Sequence, residues 1–402
     1  MNYVSPSRLH FRIAQVASRL VSSLLFRRRL LRNDLKGVKG PYVVIANHGA
    51  ALDFVNLIDA TSTPMHFVIS NSFYTTLPIR GFLDKLGVIP KQQFQTTADD
   101  LKRMKEVIRH GEPLVIYPAG LMCEDGLSTP IPTATYKFLK WLDADVYVAR
   151  AQGSYFVMPK WSKRIRPGKT TMNIYRLFTR EELAELELSE IKEKTDEALL
   201  FDSYREQEQL RIPYYRNDDL AGLEAVLYRC PYCGKEFTMT VQGNTLRCAH
   251  CGTAHTADKF GFLHKTEGPG QEIRYISDRS RWIYQKMESE THAGCHSPLT
   301  AETAIHMIDP GENKFREVGT GTVTLDGSKF LLEGALRGAP LTLTLSVAGV
   351  PTLPFSPGKY FELQHGKTIY RCVLRDGRPV MKFINAVKLQ FQQNHSKKSL
   401  AS

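Results

Sequence analysis

A run of β-branched apolar residues, Val43-Val44-Ile45, stops at Asn47-His48-Gly49, and a helix-compatible stretch begins at about Ala50. Strand, tight corner and helix in that order present polar side chains at the carboxyl end of a sheet, which commits this part of the chain to an α/β architecture. His48 sits at the corner, and Asp53 follows after four intervening residues. Within one regular helix, positions five apart lie about 140° from each other and share no face. With His48 in the corner and Asp53 one turn into the helix, the carboxylate instead folds back onto the imidazole. A carboxylate that fixes the tautomer of a histidine makes a general base for a hydroxyl. A surface histidine beside a helix-capping aspartate is the commoner origin of such a pair, so the surrounding chain has to decide.

Strands and helices alternate through residues 36–178, as an α/β sheet requires. His66–Ser70, Leu114–Tyr117 and Val146–Arg150 read as strands. Leu77–Leu86, Thr97–His110 and Pro132–Leu142 read as helices. The Asn47-His48 pair with Asp53, directly after a hydrophobic strand, resembles the signature of the glycerolipid acyltransferases, the family of 1-acyl-glycerol-3-phosphate acyltransferases. The resemblance implies that His48 deprotonates an acceptor hydroxyl for attack on an acyl thioester, with Asp53 orienting it. Gly87-Val88-Ile89-Pro90-Lys91 occupies the family's second block, where Lys91 matches the basic residue beside the acceptor phosphate. Pro118-Ala119-Gly120 resembles the third block, with Ala119 where the family carries an acceptor-site glutamate, and Glu124 lies just downstream.

The resemblance therefore implies catalysis by His48 and Asp53, and substrate binding by Asn47, Lys91, Pro118, Ala119, Gly120 and Glu124. The donor would be acyl-CoA or acyl-acyl carrier protein and the acceptor a lysophospholipid. Ala119 leaves three possibilities open. Glu124 substitutes for the missing glutamate, the acceptor differs, or the chain is a catalytically impaired membrane-associated scaffold of the same fold.

The net charge of +12 is unevenly placed: residues 1–39 carry nine Lys or Arg against one acid, Asp34. Ser5 to Leu31 has apolar residues at Leu9, Ile13, Val16, Leu20, Leu24 and Phe26 with arginines between them. That spacing predicts a basic amphipathic helix over residues 1–35 that contacts an anionic membrane surface. Arg150 to Lys169 adds six basic residues and no acid, mixed with Tyr155, Phe156 and Trp161. Such a mixture suits lipid interfaces and single-stranded nucleic acid alike. Beside an acyltransferase-like site the expected anion is lipid, and no nucleic-acid partner is expected. Gln15 and Arg19 interrupt the apolar run from Ile13 to Phe26, which argues against a signal peptide or membrane span. The expectation is a cytoplasmic protein, peripheral on the inner face of the cell membrane.

Residues 179–226 read as an acidic helical connector that packs back on the first domain. Cys230-Pro-Tyr-Cys233-Gly and, fourteen residues later, Cys248-Ala-His-Cys251-Gly then make two knuckles over residues 227–265. Four thiolates at this spacing form a closed tetrahedral site for structural Zn²⁺, a zinc ribbon, with iron as the rival metal. Cys123, Cys295 and Cys372 match no such spacing, and the pattern fits a reducing compartment. Past a short helix at Trp282–Met287, short alternating runs separated by Asp-Gly, Pro-Gly and His-Gly turns fill residues 272–395, closed by a helix from Pro379 to Gln393. They predict a mostly-β, pleckstrin-homology-like domain with a C-terminal helix. The whole reads as an α/β acyltransferase domain, a zinc ribbon and this β module.

Overall fold

The computed structural model describes residues 3–58, 60–217, 219–293 and 297–399, with side chains through 394. Cys295 lies outside the described residues. The chain divides into two compact units, Met1–Lys160 with Ile165–Tyr214, and Trp161–Arg164 with Tyr215–Ser402.

The first unit opens with α1 (Arg8–Val21), β1 (Arg29–Asn33), β2 (Tyr42–Ala46), α2 (Asp53–Ile58), β3 (His66–Ser70), α3 (Asn71–Thr76), α4 (Arg80–Lys85) and β4 (Ile89–Lys91). It continues through α5 (Ala98–Arg109), β5 (Leu114–Ile116), α6 (Ala134–Leu142), β6 (Asp145–Gln152), α7 (Ser154–Val157), β7 (Thr171–Phe178), α8 (Arg180–Glu185), α9 (Leu188–Leu199) and α10 (Ser203–Leu210). Its sheet runs β1-β7-β6-β2-β5-β3-β4. The strands from β6 to β4 are parallel, while β7 is antiparallel to β6 and carries β1 beside it in parallel.

β2 is buried on both faces, so its apolar residues run unbroken. Val44 packs with Leu57 and Ile58 of α2 and with Phe11 and Ala14 of α1. Val43 and Ile45 pack on the opposite face with Val107 of α5 and Leu139 and Leu142 of α6. The helices that follow the neighbouring strands β2 and β5 thus leave to opposite faces of the sheet. The loops at their carboxyl ends part, which is where open α/β sheets form a crevice.

Two boundaries differ from the sequence expectation. The N-terminal helix does not run to Leu31. A π-helical turn at Ser22–Phe26 ends with Arg27 in the left-handed region (φ 40°), and the chain enters β1. Phe26 is fully buried, whereas Leu9, Ile13, Val16, Leu20 and Leu24 are 50–67% exposed. The segment read as an acidic connector over 179–226 divides, with residues up to Tyr214 in the first unit and the rest in the second. Leu183, Ile191 and Leu199 pack with Val146 and Val148, which makes α8 and α9 part of the first unit's core.

The second unit holds α11 (Leu223–Val226) and β8 (Met239–Gln242), β9 (Thr245–Cys248), β10 (Ala254–Ala257) and β11 (Leu263–Glu267), an antiparallel sheet ordered β11-β10-β9-β8. α12 (Ile276–His292) is far longer than the expected Trp282–Met287. It buries Ile276 and Ile283, and Arg229 clasps Glu290 near its end with bonds of 2.7 and 2.6 Å.

β12 (Leu299–Met307), β13 (Arg316–Asp326), β14 (Lys329–Leu336), β15 (Ala339–Ser346), β16 (Phe355–Ser356), β17 (Tyr360–His365) and β18 (Thr368–Leu374) follow. They form an antiparallel sheet ordered β15-β14-β13-β12-β18-β17-β16, and α13 (Val380–Ser399) closes the unit. Phe383 of α13 packs against Phe361 and Phe330, with ring centroids 5.2 and 6.1 Å apart. Among the described residues, no helix is long and apolar enough to cross a membrane.

Candidate active site

Asp53 starts α2 and is almost fully buried. Its Oδ2 accepts the N–H groups of Gly49 and Ala50, both at 2.8 Å, and lies 3.2 Å from His48 Nδ1. With Nδ1–H donating to this carboxylate, Nε2 keeps its lone pair and is left as the basic nitrogen. The same oxygen therefore shapes the corner and sets the tautomer. Asp53 Oδ1 is buried without a hydrogen-bond partner among the described residues. The ring of Tyr117 packs against the imidazole, with centroids 4.5 Å apart. Burial, reinforced by the Asp53 charge, raises the Tyr117 phenol well above its ordinary range, so it stays neutral.

His48 opens into a cleft between the carboxyl ends of β2 and β5. Ala46, Asn47 and His48 line one side, and Pro118, Ala119 and Leu121 come from the loop after β5. Ser128, Thr129 and Ile131, with Leu199 and Phe201, complete it. The sequence pattern did not mark Tyr117, Ser128, Thr129, Leu199 or Phe201. No local motif sets them apart, and only the packing of the end of α9 and the residues after it brings the last two to the cleft.

The remaining expected site residues are not all brought together. Asn47 lines the cleft, but its amide is engaged: Nδ2 donates to Ala151 O at 2.8 Å and Oδ1 accepts Ala151 N–H at 2.7 Å. It stitches the corner to β6 with one of its two N–H donors and one lone pair of its oxygen. Lys91 ends edge strand β4, with β3 and β5 between it and β2, and its Nζ donates to Gln92 O at 3.1 Å. Burial lowers its pKa below the ordinary lysine value, partly offset by Asp100. Gly120 is exposed in the left-handed region (φ 71°), held by Gln93 Nε2 donating to its carbonyl at 2.7 Å. Glu124 is buried and is not among the cleft-lining residues.

Residues 26–159 match the family model described as acyltransferase. A chloroplastic 1-acyl-sn-glycerol-3-phosphate acyltransferase of Brassica napus is 23% identical over 143 residues. The alignment takes in 33% of this chain, and the chain spans 41% of that relative's length. A crystal structure of the 1-acyl-sn-glycerophosphate acyltransferase PlsC from Thermotoga maritima is similar with a TM-score of 0.41 and 15% identity, over 50% of this chain and 80% of that one. The acyltransferase match contains His48, Asp53, Pro118 and Ala119 but ends before Leu199, Phe201 and the paired cysteines.

Beyond the acyltransferase match, Cys230, Cys233, Cys248 and Cys251 converge in the second unit, every sulfur within 4.8 Å of the others. Gly234 and Gly252 take positive φ (72° and 73°), and their N–H groups return to the carbonyls of Cys230 and Cys248 at 3.0 and 2.9 Å, closing each knuckle. Four thiolates about 2.3 Å from a tetrahedral ion stand about 3.8 Å apart. Cys230 and Cys251 are separated by 3.7 Å, and Cys233 and Cys248 by 3.8 Å. The cluster fits a metal of that size. The hydroxyls of Thr238 and Thr253 lie 3.3 Å from the sulfurs of Cys248 and Cys251.

Proposed function

We propose that this chain transfers a fatty acyl group from acyl-CoA or acyl-acyl carrier protein to the hydroxyl of a lysophospholipid such as 1-acyl-glycerol 3-phosphate, in phospholipid biosynthesis or remodelling. The observation that carries this reading is the His48–Asp53 pair, which lies inside the acyltransferase match, with His48 lining a cleft. His48 Nε2 takes the hydroxyl proton as the oxygen attacks the thioester carbonyl. The tetrahedral intermediate then expels the thiolate, which recovers the proton from the imidazolium. The thioester supplies the driving force and the protein supplies position and a base. His48→Ala should lower turnover by about 10²–10⁴-fold, the usual share of a general base, with the fold intact. Undiminished turnover would sink the mechanism.

One observation favours a second reading, a catalytically impaired scaffold of the same fold. Ala119 lines the cleft where the family carries a glutamate. Mass spectrometry of mixed lysophospholipids incubated with acyl donors separates the two, since the scaffold binds lipid and yields no acylated product.

In this proposal the working surface is an anionic membrane, with the protein peripheral on its cytoplasmic face. The exposed stripe Leu9, Ile13, Val16, Leu20 and Leu24, flanked by exposed Arg12, Arg19 and Arg27, supports that surface. Replacing Ile13 and Leu20 by Ser removes about 2 kcal/mol of burial each, so sedimentation with anionic vesicles should fall steeply. Unchanged sedimentation would dismiss the stripe. The cysteine cluster is proposed to hold structural Zn²⁺, since closed four-thiolate sites leave no position for substrate. For the second unit's sheet we propose the pleckstrin-homology-like identity, supported by seven antiparallel strands closed by a helix.

A further inference from the structure

α2, the helix that begins at Asp53, has only six residues. A helix this short is not stable on its own, because too few hydrogen bonds follow its costly first turn. The carbonyls of its last turn have no partner within the helix and have to be met from outside. Donors for them come from the N-terminal segment. Gln15 Nε2 donates to Ile58 O at 3.4 Å and to Thr61 O at 2.7 Å. Arg28 Nη1 donates to Asn56 O at 2.9 Å, which sets a cation at the negative end of the helix dipole. Asn33 Nδ2 donates to Ala60 O at 2.7 Å, just past the helix. Ser22, in the π-helical turn, donates to the side-chain oxygen of Asn56 at 3.0 Å, and both residues are buried.

The first of these caps comes from the inward face of α1. Phe11, Ala14 and Ser18 are buried there with Gln15 partly buried beside them, whereas Leu9, Ile13, Val16 and Leu20 are exposed. Gln15 is the residue that interrupts the apolar run, and this contact is what its polarity serves. One segment thus carries the exposed stripe outside and the caps of α2 inside.

At its other end α2 presents Asp53 Oδ2, which accepts the Gly49 and Ala50 N–H groups at 2.8 Å and faces His48 Nδ1 at 3.2 Å. The imidazole contact is the longest of the three, and so the first to be lost when the helix slides. Such a helix spans about 9 Å, so a shift at the capped end is carried to Asp53. We propose that Gln15, Arg28 and Asn33 are positioning residues for the base: by capping the carbonyl end of α2 they hold Asp53 against His48. The inference rests on the acyl-transfer reading and adds to it the residues that keep its base in the working tautomer.

The test is the tautomer of His48, read on the full-length protein from its two imidazole nitrogen shifts by NMR with the ring neutral. The wild type should be the Nδ1–H form, since Asp53 accepts that proton. Gln15→Leu and Arg28→Met should move it toward the Nε2–H form that free histidine favours, and Asn33→Ala should move it less. Arg28→Lys, which keeps a charged donor, should restore most of the wild-type signal. In Gln15→Leu and Arg28→Met kcat should fall about tenfold with KM unchanged, part of the roughly 10²-fold that a misplacement of about 1 Å costs. Leu183→Ala, in the core on the opposite face of the sheet, is the control: it should lower Tm and leave the tautomer alone. A wild type in the Nε2–H form, a tautomer unmoved by Gln15→Leu and Arg28→Met, or an equal shift in Leu183→Ala overturns the proposal. If the tautomer moves as expected while no thioester is turned over, the acyl-transfer reading fails and the caps stand.

Discussion

The His48 corner and the four-cysteine cluster are both sites made at turns, yet they are assembled over different spans of chain. The cysteines are contained between residues 230 and 251, and each pair is set by its own knuckle, with Gly234 and Gly252 closing the turns. The cleft gathers residues from Ala46 to Phe201. It exists only when β2 and β5 lie side by side and the chain at the end of α9 has returned. A site of the first kind is written in spacing, and a site of the second kind is written in topology.

The sharpest way to break this comparison is to remove the metal expected at the cluster. One zinc per chain is predicted by elemental analysis. Chelation, or Cys230→Ser with Cys248→Ser, should remove about 10 kcal/mol or more of folding free energy from the region around the cluster. By hydrogen exchange, residues 227–265 should lose amide protection while β2, β5 and β6 keep theirs. Full protection without metal would show that the knuckles stand on hydrogen bonds alone.

Next in size is the corner. Asp53→Asn keeps the shape and an acceptor oxygen for Gly49 and Ala50, but removes the negative charge beside the His48 imidazole. We predict a fall in kcat on the order of 10²-fold. Asp53→Ala should further cost ~1–3 kcal/mol in denaturant titrations, because two backbone N–H groups lose their acceptor. An unchanged kcat in Asp53→Asn would mean the imidazole is oriented by the Tyr117 contact instead.

The smallest effect concerns Lys91. Burial lowers its pKa, so rising pH strips its charge earlier than that of a solvated lysine. If it holds the acceptor's anionic head, KM should climb a few-fold with pH below the ordinary lysine range, and Lys91→Arg should flatten that climb. A flat wild-type profile would remove Lys91 from the acceptor site, consistent with its place outside the cleft lining.

What was legible follows the same division. The strand before His48, the return of Asp53 and the cysteine pairs are local features, and the sequence carried them. Periodicity showed that Leu9, Ile13, Val16 and Leu20 share a face of α1, continued by Leu24 in the turn after it, but could not show that the face is left exposed. Nothing in Arg27-Arg28-Arg29 marks the left-handed turn that ends the helix and frees β1 to join the sheet. Thr171–Phe178 alternates like a strand, yet its place between β1 and β6 depends on partners far along the chain. Lys91 and Glu124 were placed by their order in a motif. Order fixes a position along the chain and leaves the side chain's direction to the packing around it.

Asn47 has a consequence of its own. Its amide gives Ala151 of β6 both a donor and an acceptor at the point where the backbone of β2 turns away. The corner is a loop in its dihedral angles and a strand in its bonding. A histidine next to such a stitch does not wait for a ligand to arrange it. Little of the energy released when a substrate enters is then spent on ordering the base, and more of it remains for telling one substrate from another.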